Sequence, residues 1–142
     1  MLAFVALATS ACSGDGPEPP TPPVRERCTS DLHPPEGFDQ RRVRTVRESD
    51  HLGIRILYTD ATGRMLASLA GISGEYGEGS PFGGHVEVAG DGPADLFGDA
   101  RRWTIVWAGA EPCTPRAVIG NGFTKEAFLR TLTRIGVLAK HG

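Results

Sequence analysis

Apolar and polar positions alternate most clearly through Ile54-Arg55-Ile56-Leu57-Tyr58-Thr59, and an apolar run resumes in Met65-Leu66-Ala67-Ser68-Leu69. Between them stands Asp60-Ala61-Thr62-Gly63. An aspartate at the first turn position and a glycine where left-handed backbone is needed predict a β-hairpin. Period two places Ile54, Ile56 and Tyr58 on one face. Trp103-Thr104-Ile105-Val106-Trp107 predicts a core strand, with Trp103, Ile105 and Trp107 on one side and Thr104 and Val106 on the other. Residues 85–88 and 116–120 predict two further short strands. Residues 41–47 alternate imperfectly and fit either an edge strand or one turn of helix. Near the end the period changes: Phe128, Leu129, Leu132 and Ile135 form one apolar helical stripe. Thr124 can cap that helix, Phe123 and Phe128 can staple it, and Glu126 suits its positive end. Gly136 interrupts or caps it. The expected fold is α+β: an antiparallel sheet of about five or six short strands with one C-terminal helix packed on it.

Proline and glycine divide the chain. Seven of the eleven prolines lie within residues 13–37, a stretch that favours extended polyproline II and reads as a tether. The expected organisation is therefore a signal segment over 1–11, a tether over 12–37 and a single domain over 38–142. Residues 71–84 form a glycine-rich stretch whose length suits a binding loop or a plain surface loop. It lacks the Lys-Ser/Thr ending of a P-loop and the Gly-x-Gly-x-x-Gly of a dinucleotide turn. Tyr76 and Phe82 from this stretch, with Trp103 and Trp107, are the candidate ligand-binding aromatics. The alternative for the two tryptophans is the core.

Composition narrows the classes. A chain of 142 residues and 15.1 kDa makes one ordinary domain. Its 39% apolar and 23% charged content is that of a globular protein. A formal charge of −2 argues against a nucleic-acid partner, which phosphate neutralisation would make basic. No eighteen-residue apolar run exists to cross a bilayer as a helix. Met1 to Ala8 is apolar, and Thr9-Ser10-Ala11 supplies small residues before Cys12, the second half of a secretory signal. No Lys or Arg precedes the run, so the expected start lies upstream of Met1.

Ala11-Cys12 resembles the lipobox of bacterial lipoproteins, with Thr9 where leucine is usual. That resemblance implies a diacylated Cys12, anchored to membrane lipid at the extracytoplasmic face. The alternatives are ordinary cleavage after Ala11, which would leave Cys12 a free thiol, and a cytosolic chain with an apolar start. Cys28 and Cys113 then remain as an even pair in an oxidising compartment, expected as a disulfide. Free buried thiols are the second option. Zinc would need two more ligands at short spacing, which neither cysteine has.

The remaining chemistry is sparse. Arginines 41, 42, 44 and 47 could touch anionic head groups or wall polymer near the anchor, or form a solvated face. His85 and Glu87, two apart on a strand, could belong to a metal or acid–base pair, but no third ligand is identifiable and a solvent face is the preferred reading. Asp91, Asp95 and Asp99 stand among Gly and Pro and read as turn formers, without the closing Glu of a calcium loop. No Gly-x-Ser-x-Gly elbow accompanies Ser80, and no catalytic residue, metal or cofactor is nominated.

The hairpin from Leu57 to Asp60, the strand from Trp103 to Trp107 and the Gly122-Phe123-Thr124-Lys125-Glu126 helix opening resemble small actinobacterial extracytoplasmic lipoproteins of unknown function. They are also loosely similar to the half-barrel domains of lipoprotein carriers and sigma-factor regulators. Thirteen arginines against two lysines agree with a GC-rich source. The expected function is a membrane-anchored, non-catalytic binding or interaction module for an unidentified envelope protein or ligand. The alternatives are an envelope-maintenance lipoprotein without a small ligand, or a small secreted hydrolase.

Overall fold

Among the residues described by the computed structural model (26–30, 32–74, 76–77 and 79–140), eight strands precede one helix. They are β1 (Glu26–Arg27), β2 (Asp39–Arg47), β3 (His51–Thr59), β4 (Met65–Ala70), β5 (Phe82–Val88), β6 (Gly92–Asp99), β7 (Arg102–Trp107), β8 (Arg116–Asn121) and α1 (Lys125–Arg134). The signal segment, Cys12 and the first part of the expected tether lie outside the described residues.

The sheet runs in the order β2-β3-β4-β8-β7-β6-β5, each neighbour antiparallel. β1 is the exception, pairing parallel with His51 and Leu52. Leu52 faces Arg47 on one side and Arg27 on the other, so β1 sits on the β4 edge of β3, beyond the end of β4. One helix on one sheet makes the α+β class expected.

Asp60 explains why the central hairpin turns where it does. Its carboxylate accepts from the backbone N–H of Thr62 at 3.0 Å and of Arg64 at 2.9 Å, and from the Thr62 hydroxyl at 2.8 Å. Arg64 Nε adds an ion pair at 2.8 Å, and Gly63 supplies a φ of +91°. Burial pushes the Asp60 carboxyl up, but the Thr62 and Arg64 hydrogen bonds outweigh it and bring the pKa down to about 2. The turn is therefore at full strength above the ordinary value of 3.8 and weakens as pH falls toward 2.

The strand count exceeds the five or six expected. β1 carries no apolar pattern at all, and β6 is written in turn residues. Asp95 and Asp99 are strand residues, not turn formers. What makes β6 a strand is burial of alternate positions, Ala94, Leu96 and Gly98. Gly98 is required because a Cβ there would collide with the Trp103 ring. Pro93 is tolerated because it lies beyond the β7 ladder, which starts at Asp95. The glycine-rich stretch is also shorter than expected, since Gly83 and Gly84 belong to β5.

α1 lies across one face of the sheet. Phe128 and Leu132 pack with Ile56, Leu66, Ile105 and Val118 in the main core. Thr124 accepts from Ala127 N at 3.2 Å, and the Phe123 and Phe128 rings meet edge to face at 6.0 Å, so cap and staple form as expected. Leu32, Pro35 and Phe38 are buried too, so the packed part of the chain reaches back into the proline-rich stretch. The other face is covered in its middle, where Ile72 and Tyr76 pack on Ala67, Leu69 and Ala117. This two-sided cover is why β4 is buried at five consecutive positions. Cys28 and Cys113 form a disulfide with Cα atoms 5.6 Å apart, fastening the segment after β1 to the β7–β8 connection.

Candidate functional site

Among the described residues, the C-terminal segment shapes two neighbouring concavities. After α1 the chain turns at Gly136, with φ of +87°, and runs back along β5. Ala89 N donates to Val137 O and Ala139 N to Glu87 O, both at 2.9 Å, and Val88 bridges Leu138. This strap closes part of the β5 edge and leaves a hollow on each side.

The smaller hollow, about 100 Å3, is lined by Ser68, Asp91, Trp107 and Arg116 among others. Its polar groups are engaged: Trp107 Nε1 donates to Asp91 at 2.8 Å, Ser68 bonds Ser30 at 2.5 Å, and Arg116 reaches Thr29 O at 3.3 Å. That space is large enough for about three waters.

The larger is a groove of about 430 Å3 between α1 and β5, within the range of small-ligand sites. Val86, Pro93, Leu129 and Leu138 give it an apolar floor, and His85 and Glu87 a polar rim. His85 Nδ1 lies 2.9 Å from Asp95 Oδ1 on the neighbouring strand, which orients the ring and leaves Nε2 for another partner. The Thr133 hydroxyl, also at the groove, donates to Leu129 O at 2.8 Å. Chemically the groove suits a ligand with an apolar body and a polar end.

A second histidine is structural. His51 is buried, with Nδ1 2.6 Å from Asp50 Oδ1 and Nε2 2.6 Å from Gly71 O. Both partners only accept, so both ring nitrogens must donate and the imidazolium is the form that fits. The Gly71 carbonyl foremost, then Asp50, raises the pKa above the ordinary 6.5, with Glu48 adding a smaller attraction. A raised folded-state pKa means stability that is complete below pH 6.5 and lost as pH rises through the folded value. The melting temperature is therefore expected to be highest on the acidic side of pH 6.5 and to decline toward pH 8. His51→Gln should flatten that slope. A melting temperature that climbs between pH 6 and 8 in the parent would contradict the assignment.

The four candidate aromatics do not gather. Trp103 and Trp107 share the helix-facing side as expected, but Trp103 packs at the α1 N-terminus, with Lys125 Nζ 6.0 Å from its ring. Trp107 borders the smaller hollow. Phe82 is exposed at the sheet edge, edge-on to Phe97 at 5.7 Å and to His85 at 5.1 Å. Tyr76 lies on the opposite face, its hydroxyl donating to Ile72 O at 2.7 Å, and burial raises its pKa. The four aromatics therefore do not line one concavity, and the groove between α1 and β5 is walled mainly by aliphatic side chains. His85 and Glu87 were legible as a pair two apart. Leu129 and Leu138 were not, because nothing local connects them to β5.

No protein-family model, curated protein or solved structure matches this chain. The fold and groove define a sheet-and-helix domain with a disulfide-fastened start.

Proposed function

We propose that the protein is a lipid-anchored, extracytoplasmic, non-catalytic binding module whose groove between α1 and β5 takes an amphipathic ligand. The observation that carries the binding half is the groove itself, apolar at Val86, Leu129 and Leu138 and polar at His85 and Glu87. Apolar contact supplies affinity and the rim orients the ligand. The address rests on the lipobox-like Ala11-Cys12 and is supported by the Cys28–Cys113 pair, a bond characteristic of oxidising compartments.

Two measurements test the halves separately. Intact mass of the protein purified from its host's membranes should match a chain beginning at acylated Cys12, gaining two hydrogens on reduction. An unprocessed mass with free thiols would overturn the address. For the groove, the neutral fluorophore Nile red should bind saturably, and Leu129→Trp, which fills the floor, should weaken it by at least about tenfold. Val43→Ser, at an exposed site on β2, should leave it unchanged. Equal binding by the Leu129→Trp protein would remove the groove as the site.

A further inference from the structure

The sheet face away from α1 carries charges that the groove does not use. Across β2 and β3, Arg42 stands opposite Leu57 and Arg44 opposite Arg55. These four residues line one shallow hollow of about 20 Å3. Leu57 faces Ala67 and Ala67 faces Ile119, so the floor continues across the sheet to a second shallow hollow of about 60 Å3 that Arg102 borders. Among the described residues, Arg42, Arg44, Arg55 and Arg102 make no ion pair, although Arg41 beside them reaches Asp39 at 3.9 Å. Arg44 directly opposite Arg55 is a like-charge cross-strand pair, an arrangement that lowers stability. Arg102 has Asp99 opposite it on β6, so the uncompensated positive charge is that of Arg42, Arg44 and Arg55, in a chain of net charge −2.

The geometry says what kind of partner offsets that charge. The patch lies on two neighbouring strands about 5 Å apart, with Arg42 and Arg44 on β2 and Arg55 on β3. Its hollows are too small to enclose a ligand, so the complementary anions must be presented as a surface. Guanidinium groups pair with phosphate oxygens in a fork, and aliphatic side chains between them suit the boundary between head groups and acyl chains.

We propose that this face docks on an anionic phospholipid surface, with Arg42, Arg44 and Arg55 on head-group phosphates and Leu57 against the interface. The inference rests on the anchor reading only for bringing a membrane close, since Cys12 lies thirty residues before Arg42.

The test uses the full chain carrying Cys12→Ser, which cannot be acylated, sedimented with vesicles of phosphatidylcholine alone or with one third phosphatidylglycerol. Binding should appear only with the anionic vesicles and disappear in high salt, where screening shortens to a few ångströms. Each arginine near such a surface contributes roughly a fivefold factor, so Arg42→Gln/Arg44→Gln/Arg55→Gln should weaken partitioning by about a hundredfold. Arg130→Gln/Arg134→Gln/Lys140→Gln removes the same charge from α1 and the segment after it, and should bind within about twofold of the parent. Arg44→Gln should melt no lower than the parent, because the like-charge pair is gone, which separates lost docking from lost folding.

Three outcomes overturn the proposal: no preference for anionic vesicles, equal loss in both triple variants, or displacement by millimolar inorganic phosphate at constant ionic strength. The last would mean a discrete phosphate site. None of them alters the mass of the host-purified protein, so anchor and docking face stand or fall separately.

Discussion

Replacing Cys28 and Cys113 together by alanine is expected to lower the folding free energy by about 4–5 kcal/mol, the loop-closure value for a separation of 85 residues. The effect acts mainly on the unfolded chain, which the bond keeps from separating its two ends. In the folded state the same bond sits at a crowded junction. A Cβ on Gly71 would lie 2.5 Å from Cys28 Sγ, and the Gly71 carbonyl accepts from His51. Without the bond, the segment after β1 is held by a two-residue parallel ladder and three hydrogen bonds, Cys28 N to Leu52 O at 2.8 Å, Ser30 to Ser68 and Arg116 to Thr29 O. For a domain of this size the melting temperature should fall by on the order of 15 °C. Thermal unfolding of the double variant, and of the parent with a reductant, should agree. A shift of less than about 3 °C in both would refute the loop-closure account.

Phe128→Ala is the second large effect, with an expected cost of about 3–5 kcal/mol. The ring is fully buried and is the contact through which α1 sits on β8. Gly120 on β8 exists for that ring, since a Cβ there would lie 2.5 Å from Phe128 Cδ1. Gly120→Ala alone should therefore cost about 1–3 kcal/mol by overpacking. Combining the two should cost less than their sum, because the new methyl occupies space the ring has left. Chemical denaturation of the four-member cycle reads this directly, and strict additivity would show that helix and strand do not meet there. The consequence extends to binding: Leu129, the next residue, forms the groove floor, so a tilted α1 would also weaken the Nile red site.

Local chemistry was enough wherever a few neighbouring residues settle the backbone. Asp60 and Gly63 specify the central turn, Thr124 with Phe123 and Phe128 specifies the helix start, and period-two alternation sorts Trp103 to Trp107 onto two faces. Cysteine parity pointed to the single bond that closes the domain. The edge-or-helix ambiguity of residues 41–47 was decided by tertiary pairing, as was β6, whose Gly, Pro and Asp read locally as turns. Those residues became a strand because Leu96 and Ala94 had a core to enter and β5 and β7 had ladders to complete.

Both candidate surfaces belong to the same category. The groove joins His85 and Glu87 on an edge strand to Leu129 and Leu138, more than forty residues away, through a strap that follows the helix. The arginine face needs Arg44 set opposite Arg55, which only strand register provides. Turn and cap signals are carried by atoms a few bonds apart, so the chain alone determines them. A concavity or a charged face depends on which distant segments share a core, and only burial of the whole sheet decides that.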